Sequence, residues 1–396
     1  MKLNYARNIP LLYIYSVLIK RVSMPIIVIY FLFNNLNYTQ IGILAAVTSI
    51  IHLSTEVHGG IFADLKGKRT SLILHSIFGI FTMLLYFIGN SFPWFLMASI
   101  TYGISGSFIS GTRNALLYDS LKQLDRTSEF KKFNGKVLLY SHTINALILL
   151  AVPFIYTYNN KLPFLIGVGF FIASLITALY FVEPPMTRKS QSTLAMYNSK
   201  FIEALKEVKL SKKLLSAILM AMVTAAFVYM SAPFMQPLMQ IAGLPIIYFG
   251  VVYAFMRAIM GLGGVITHKM EKYLSLEKLL FIGAGIMVVS FLGFSLGAGI
   301  VIIISLILMK LASGYNRIIL DDEINKNIKS KNRTTVLSIS SLFQQLMNAG
   351  LIFIFGIVAD QIGIQNMFYY ALALFLVCII AALFFMRKTN GKLISI

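Results

Sequence analysis

Apolar runs of about twenty residues recur along the whole chain, separated by short polar turns, and this alternation predicts a set of membrane-crossing helices. The runs fall roughly at 9–33, 40–63, 70–89, 92–121, 134–157, 162–183, 214–240, 246–268, 276–297, 299–320, 335–358 and 364–386. Each is close to the roughly 17–25 residues that cross a hydrocarbon core as a helix, so twelve spans are expected in an all-α membrane protein. The first run opens after Lys2, Asn4, Arg7 and Asn8, holds Lys20 and Arg21 at its centre, and closes on Asn34 and Asn35. It carries no small-residue cleavage site, so it reads as a retained span and not as a removed signal peptide.

The longest polar interruption, residues 184–213, begins with Pro184 and Pro185 and divides the spans six and six. The expected organisation is therefore a six-helix bundle over 1–183, a cytoplasmic linker over 184–213 and a second six-helix bundle over 214–396. Within the linker Phe201, Leu205 and Val208 share one helical face, with Lys206, Lys209, Lys212 and Lys213 around it. That pattern suits a helix lying on the membrane surface or a solvated tether that carries orienting charge.

The two halves read as repeats. SGTRNALLYD at 110–119 and SGYNRIILDD at 313–322 share Ser-Gly, an apolar stretch and a terminal acid at an offset of 203 residues, and the Gly-Gly pairs at 59–60 and 263–264 follow at 204. Duplicated helical bundles place a substrate site at the repeat interface near the bilayer midplane.

Composition supports the membrane reading: 58% hydrophobic residues, 12% charged and a mean hydropathy of +0.80 leave too little polar surface to cover a soluble globule of 396 residues. The net charge of +20 raises the question of nucleic acid, but its placement answers it. With Lys278, at the edge of its span, assigned to the preceding loop, 26 of 34 Lys and Arg lie at the termini or in even-to-odd loops, seven lie within spans, and Lys161 stands alone in a loop on the opposite side. This bias puts both termini and the loops after spans 2, 4, 6, 8 and 10 in the cytoplasm, against anionic lipid headgroups that attract each basic residue by about 1 kcal/mol. Cys378 is the sole cysteine and lies inside the last span, which excludes an intrachain disulfide and a cysteine metal site. Trp94, with Phe92 and Phe95, suits the interfacial aromatic belt. No P-loop and no nucleophile–base constellation occurs, so neither ATP as driver, nor an enzyme, nor a cofactor is implied. His52 and His58 are six apart on one helix with no further ligand cluster, so metal binding is discounted.

The most specific local feature is GGIFADLKGKR at 59–69, a charged turn between two spans. Gly60 would let helices approach closely, Gly67 would permit a sharp reversal, and Asp64 with Lys68 and Arg69 would clamp neighbouring helix ends through charge and helix dipole. The turn resembles the signature G-x-x-x-D-x-x-G-R/K-R/K of the major facilitator superfamily, met here by Gly60, Asp64, Gly67, Lys68 and Arg69. The resemblance implies twelve helices in two pseudo-symmetric bundles. It also implies a latch at this turn that engages the ends of spans 4 and 11 in the outward-open state, with Asp119 the span 4 residue implicated. The second-half turn lacks the acid, so the latch would be asymmetric. Glu56, Gly60, Ala63 and Asp64, together with SGTRNALLYDS, resemble a bacterial branch of efflux-type permeases. Span 5, NGKVLLYSHTINALILLAVPF, lacks the G-x-x-x-G-P-x-x-G-G pattern common in the family's antiporters.

Charges inside the bilayer narrow the candidate chemistry, because each costs at least about 2.5–3.5 kcal/mol at the midplane unless it meets a partner or water. Seven basic residues fall within spans, Lys20, Arg21, Arg113, Lys136, Arg257, Lys310 and Arg317, against the acids Glu56, Asp119, Asp321 and Asp322. The basic excess points to an anionic or carboxylate-bearing substrate. Lys20 or Arg21 is the leading contact, one of the two facing a cavity, since adjacent helical residues point about 100° apart. Glu56, about 12 Å along the helix from Asp64, and Arg113, about 9 Å from Asp119, lie at similar depth and suit an ion pair. The pair would serve either proton coupling, with Glu56 as carrier, or helix packing. Ser141, Asn145, Gln236, Gln240, Asn316, Gln344, Gln345 and Asn348 fit a polar lining, with Tyr229 among tyrosines that offer a ring and a polar tip. The substrate-binding set is therefore Lys20, Arg21, Asn145, Tyr229, Gln236, Arg257, Asn316, Arg317 and Gln344. His142 titrates or bonds across helices, and Pro233 and Pro237 loosen span 7.

These features describe a secondary transporter of the cytoplasmic membrane, expected to act as a monomer among lipids and protons, without nucleic acid. Its expected cargo is a small organic molecule that leaves as protons enter. A nutrient importer or facilitator of the same fold, or a lipid flippase, shares much of the pattern. A sensor or scaffold would usually append a soluble domain.

Overall fold

A computed structural model describes residues 5–185, 194–328 and 333–389. The described residues form helices and no strand. The helices are α1 (Asn8–Leu18), α2 (Ile27–Phe33), α3 (Tyr38–Lys66), α4 (Lys68–Ile88), α5 (Phe92–Ile109), α6 (Thr112–Gln123), α7 (Phe130–Tyr158) and α8 (Leu162–Leu179), then α9 (Leu194–Leu210), α10 (Lys212–Met230), α11 (Met235–Ile241), α12 (Phe249–Met270), α13 (Leu276–Leu296), α14 (Gly299–Asn327), α15 (Arg333–Ile362) and α16 (Ile364–Thr389). Eleven stretches among them are long and apolar enough to cross a membrane.

Three expected spans are interrupted, each for a local reason. The first is split into α1 and α2. Residues between them are turned by i→i−3 bonds (Lys20 N–H to Val17, Met24 N–H to Arg21, Ile26 N–H to Ser23), where Pro25 supplies no N–H for a continuous ladder. Lys20 and Arg21 therefore sit in a bend and not on a regular helix, contrary to the helical-wheel expectation for them. The fourth breaks at Gly111, whose φ of +72° needs a residue without Cβ, and continues as α6. The seventh breaks between α10 and α11 through a 3₁₀ turn at Ala232–Phe234, where Pro233 and Pro237 predict loosening.

The helices gather into two compact units. The first comprises Met1–Leu36, Val47–Gln191 and Ile246–Val251, as far as these are described. Its core joins Leu12 and Tyr15 of α1 to Leu72, Leu116, Leu117, Leu121 and Phe181. Buried Asn8 fixes the start of α1 by donating to the Ser120 hydroxyl (2.8 Å) and the Val182 carbonyl (2.7 Å) while accepting from the Val182 N–H (2.8 Å). Small residues let α3 and α5 touch: a Cβ on Gly59 would lie 2.5 Å from the Ser107 carbonyl oxygen, and one on Gly103 2.9 Å from that of Thr48. Gly60 has open space around it, so close approach belongs to Gly59 and the expectation for Gly60 is corrected.

The second unit comprises Asn37–Ala46, Ser192–Pro245 and Val252–Ile396, as far as these are described. Here α10 is central, packed on α14, α15 and α16, and it has the most buried span window of the chain. Phe227, Phe291 and Phe375 interlock by edge and tilted ring contacts along its inner side. Helices α12 and α14 cross at backbone contact, since a Cβ on Gly314 would overlap the Met260 carbonyl oxygen and one on Gly263 would stand 2.6 Å from that of Leu311. The linker helix α9 buries Ala204 and Val208 and packs against α15. Part of its apolar face is thus covered by protein, neither a free tether nor wholly turned to lipid.

Candidate functional site

A cavity of about 330 Å³ opens within the second unit. Three helices each give it one face: Ala221, Thr224, Ala225, Val228 and Tyr229 from α10; Ser313, Asn316, Arg317, Leu320, Asp321 and Ile324 from α14; and Leu337, Ser340, Ser341 and Gln344 from α15. Each set repeats at three- and four-residue steps, the spacing of a single helical stripe. Met260 of α12 closes one side. A cavity of this size, part apolar and part polar, suits a small organic molecule.

Its chemistry is mixed. The Arg317 Nε lies 3.5 Å from the Asp321 Oδ2 one helical turn on, and both side chains are more than half exposed. The pair is loose enough to exchange partners at little cost. The Gln344 amide donates to the Ser340 hydroxyl at 3.1 Å, leaving its carbonyl oxygen as an acceptor. Tyr229 is half-exposed, a ring and hydroxyl at the margin. Asn316 borders the cavity, but its amide occupies the space that a side chain on Gly283 would take, and its nitrogen donates to the Met287 sulfur at 3.6 Å. Among the described residues its buried carbonyl oxygen has no hydrogen-bond partner.

Four expected contacts, Tyr229, Asn316, Arg317 and Gln344, thus meet at one cavity, and five lie elsewhere. Gln236 is buried and donates to the Tyr253 hydroxyl at 3.3 Å, a pair on α11 and α12. Asn145 is buried in α7. Arg21 stacks its guanidinium on the Tyr102 ring at 4.6 Å in the first unit, an aromatic partner within the protein. Lys20 occupies the adjoining bend. Arg257 is exposed on α12, outside the lining of the cavity.

The proton-coupling candidates do not pair with each other. The Ser110 hydroxyl donates to the Glu56 Oε1 at 2.9 Å, while among the described residues an Arg113 Nη donates to the Asn114 side chain, at 3.4 Å. Depth alone predicts a Glu56–Arg113 ion pair. The break at Gly111 intervenes and sends Arg113 off the axis of α5.

The charged turn is tied on the side of its bases. Gly67 reverses the chain at φ +100°, the Lys68 ammonium lies 2.6 Å from the Asp119 carboxylate, and an Arg69 Nη donates to the Leu179 carbonyl at 2.6 Å. Asp64 is exposed. Glu183 was not among the expected residues, yet its carboxylate accepts from the N–H groups of Lys68 (2.8 Å) and Arg69 (2.7 Å), capping α4. An acid directly before Pro184 and Pro185 was the available signal. A second acid was also overlooked. Asp360 near the end of α15 accepts from Tyr38 N–H (2.8 Å), Thr39 N–H (2.8 Å) and the Thr39 hydroxyl (2.6 Å), capping α3. It stands in GIVADQIG (356–363), which repeats GIFADLKG (60–67) at five of eight positions and ends in a left-handed glycine as that turn does.

Helices with glycine crossings and a polar cavity among them are the material of a membrane carrier. Comparison with known proteins decides the family: the Major Facilitator Superfamily profile matches residues 11–351. The chain belongs to the major facilitator superfamily. A related protein, the uncharacterised MFS-type transporter YxaM of Bacillus subtilis (strain 168), is 24% identical over 353 residues, 87% of this chain and 86% of YxaM. Among solved structures, a mutant form of the nucleoside transporter NupG superposes with a TM-score of 0.81 at 12% identity over 98% of this chain and 100% of NupG. A D-xylose-proton symporter superposes with a TM-score of 0.69 at 15% identity over 99% of each chain. At these identities the structural likeness establishes the fold. As a superfamily member the chain is a multi-pass membrane transporter.

Proposed function

We propose that this facilitator-superfamily protein exports a small organic molecule across the cytoplasmic membrane by alternating access, driven by proton entry. The carrying observation is the cavity of about 330 Å³, in which Tyr229, Arg317 and Gln344 offer a ring, a cation and an amide inside otherwise apolar spans. Such groups are expensive in lipid and gain their place by meeting a polar solute. The excess of basic over acidic residues within the spans favours a solute carrying an anionic group. Outward direction rests on the resemblance of the Glu56–Asp64 stretch to efflux-type permeases. Glu56 is the proposed proton carrier: it is half-buried and, among the described residues, hydrogen-bonded to the Ser110 hydroxyl with no cation beside it. Protonation there would not have to break an ion pair.

The test uses the purified protein in proteoliposomes with a panel of metabolites and drugs. Efflux that accelerates when an inward proton gradient is imposed, and that weakens in Tyr229→Ala and Gln344→Ala, is the expected result. Net uptake that collapses with the gradient would make the protein an importer, and transport indifferent to both substitutions would move the substrate to another site.

A further inference from the structure

The cavity of the second unit is lined by charge of both signs. Arg317 and Asp321 are the only charged groups among the described residues that line it. They stand one turn apart on α14, the guanidinium Nε 3.5 Å from the carboxylate, and both side chains are more than half exposed. The next acid on the helix differs. Asp322 is in direct contact with Lys326, also four residues on, and neither of these lines the cavity. The closed pair thus lies outside the cavity and the loose one faces into it.

Charge balance decides what such a lining accepts. A solute with only a carboxylate that takes Arg317 must displace Asp321, which leaves two carboxylates side by side. A solute with only an ammonium strands Arg317 in the same way. An uncharged solute gains from neither. A molecule that carries both charges exchanges one exposed ion pair, which contributes little, for two charge-assisted contacts, and strands nothing. The facing helix α15 adds an acceptor, the Gln344 carbonyl oxygen, for a remaining ammonium hydrogen. Leu320, Ile324 and Leu337 supply apolar wall.

We propose that Arg317 and Asp321 together receive a small zwitterion, its carboxylate on the guanidinium of Arg317, its ammonium on the carboxylate of Asp321 and its apolar part against Leu320, Ile324 and Leu337. The planar guanidinium suits a two-oxygen grip on the carboxylate. A volume of about 330 Å³, at the small end of ligand sites, suits a molecule of amino-acid size. The proposal rests on the cavity being the transport site, and it adds an ammonium to the anionic group of the cargo.

A phosphatidylethanolamine headgroup carries the same two charges. Binding is therefore measured by thermal shift on the full chain in dodecyl maltoside, whose headgroup is uncharged. The probes are leucine and γ-aminobutyrate as zwitterions, N-acetylleucine as the anion, leucine methyl ester as the cation, N-acetylleucinamide as the uncharged form and dihexanoyl phosphatidylethanolamine as the headgroup. At least one of the two amino acids should raise the melting temperature, and the anion, cation and uncharged forms should not. Arg317→Gln and Asp321→Asn should each weaken binding of the effective zwitterion roughly ten- to a hundredfold. Because the pair is exposed, neither variant should melt much below the parent without ligand. Selectivity is the sharper readout: Asp321→Asn should now accept N-acetylleucine, and Arg317→Gln the methyl ester. Stabilisation of the parent by N-acetylleucine as strong as by leucine would overturn the proposal, as would no stabilisation by either amino acid. Stabilisation by the phospholipid alone would assign the pair to a headgroup and overturn it too. Transport that depends on Tyr229 and Gln344 without charge-selective binding would leave the cavity as the transport site and remove the zwitterion. Charge-selective binding with transport indifferent to Tyr229→Ala and Gln344→Ala would keep the zwitterion site and remove the cavity from the transport route.

Discussion

Single residues in this chain divide by whether the protein already satisfies them. Gln236 has Tyr253, Arg21 has the Tyr102 ring and Asn8 has both Ser120 and Val182, so these polar groups hold helices together. Glu56 is held by one hydroxyl, and Gln344 keeps a free acceptor. Glu56→Gln should therefore abolish flux driven by a proton gradient yet leave substrate counterflow, which needs no net proton movement. Proteoliposome assays in both modes check this, and wild-type pH dependence in the variant would reject the role. Gln344→Ala removes one neutral hydrogen bond, net about 0.5–1.5 kcal/mol, so KM should rise about two- to tenfold with kcat little changed. Sequence alone finds Gln344 because a polar residue in an apolar run must have a reason to be there. It separates Gln344 from Gln236 only when the three-dimensional partner is known, since Tyr253 is seventeen residues away on another helix.

At the scale of the helix, the stored information is in glycines and caps. Gly314 and Gly285 are both glycines inside apolar helices, yet a Cβ on the first would overlap the Met260 carbonyl oxygen and one on the second would meet nothing within 4 Å. Gly314→Ala must push α12 from α14 and should lower the melting temperature by an amount equivalent to at least about 1–3 kcal/mol. Gly285→Ala should be neutral or stabilising by up to about 1 kcal/mol, from helix propensity. Thermal denaturation in detergent reads both, and similar losses for the pair would mean that α12 and α14 do not touch as described. Asp360→Ala removes the cap from α3 and should cost about 1 kcal/mol, with Asp360→Asn losing less because asparagine also caps. The positions of the spans were legible because apolar length and prolines act locally. Their interruptions were less so: the bend at 19–26 and the break at Gly111 depend on backbone turns that a hydropathy pattern averages away. The Asp360 cap was present in the sequence as GIVADQIG, but a motif sought beside a basic turn is easily passed over where no bases follow it.

For the whole molecule, the decisive quantity is where charge lies relative to the bilayer. Of 34 Lys and Arg, 26 are assigned to one face and Lys161 to the other. Insertion is biased by such charge because moving a basic loop across the membrane opposes both the potential and the anionic inner leaflet. Both termini, and the turn between α6 and α7 with the start of α7 at Lys131 and Lys132, are then expected in the cytoplasm, and the turn around Asn159 outside. Cys378 is the chain's sole thiol, so a Cys378→Ser background gives clean labelling. In that background Asn159→Cys should react with a membrane-impermeant maleimide in intact cells, and Lys131→Cys only after permeabilisation, since both positions are exposed. The reverse pattern would invert the protein. It would also turn the Lys68–Asp119 contact and its Glu183 cap to the outer face, where Lys68 and Arg69 could no longer serve as topology signals.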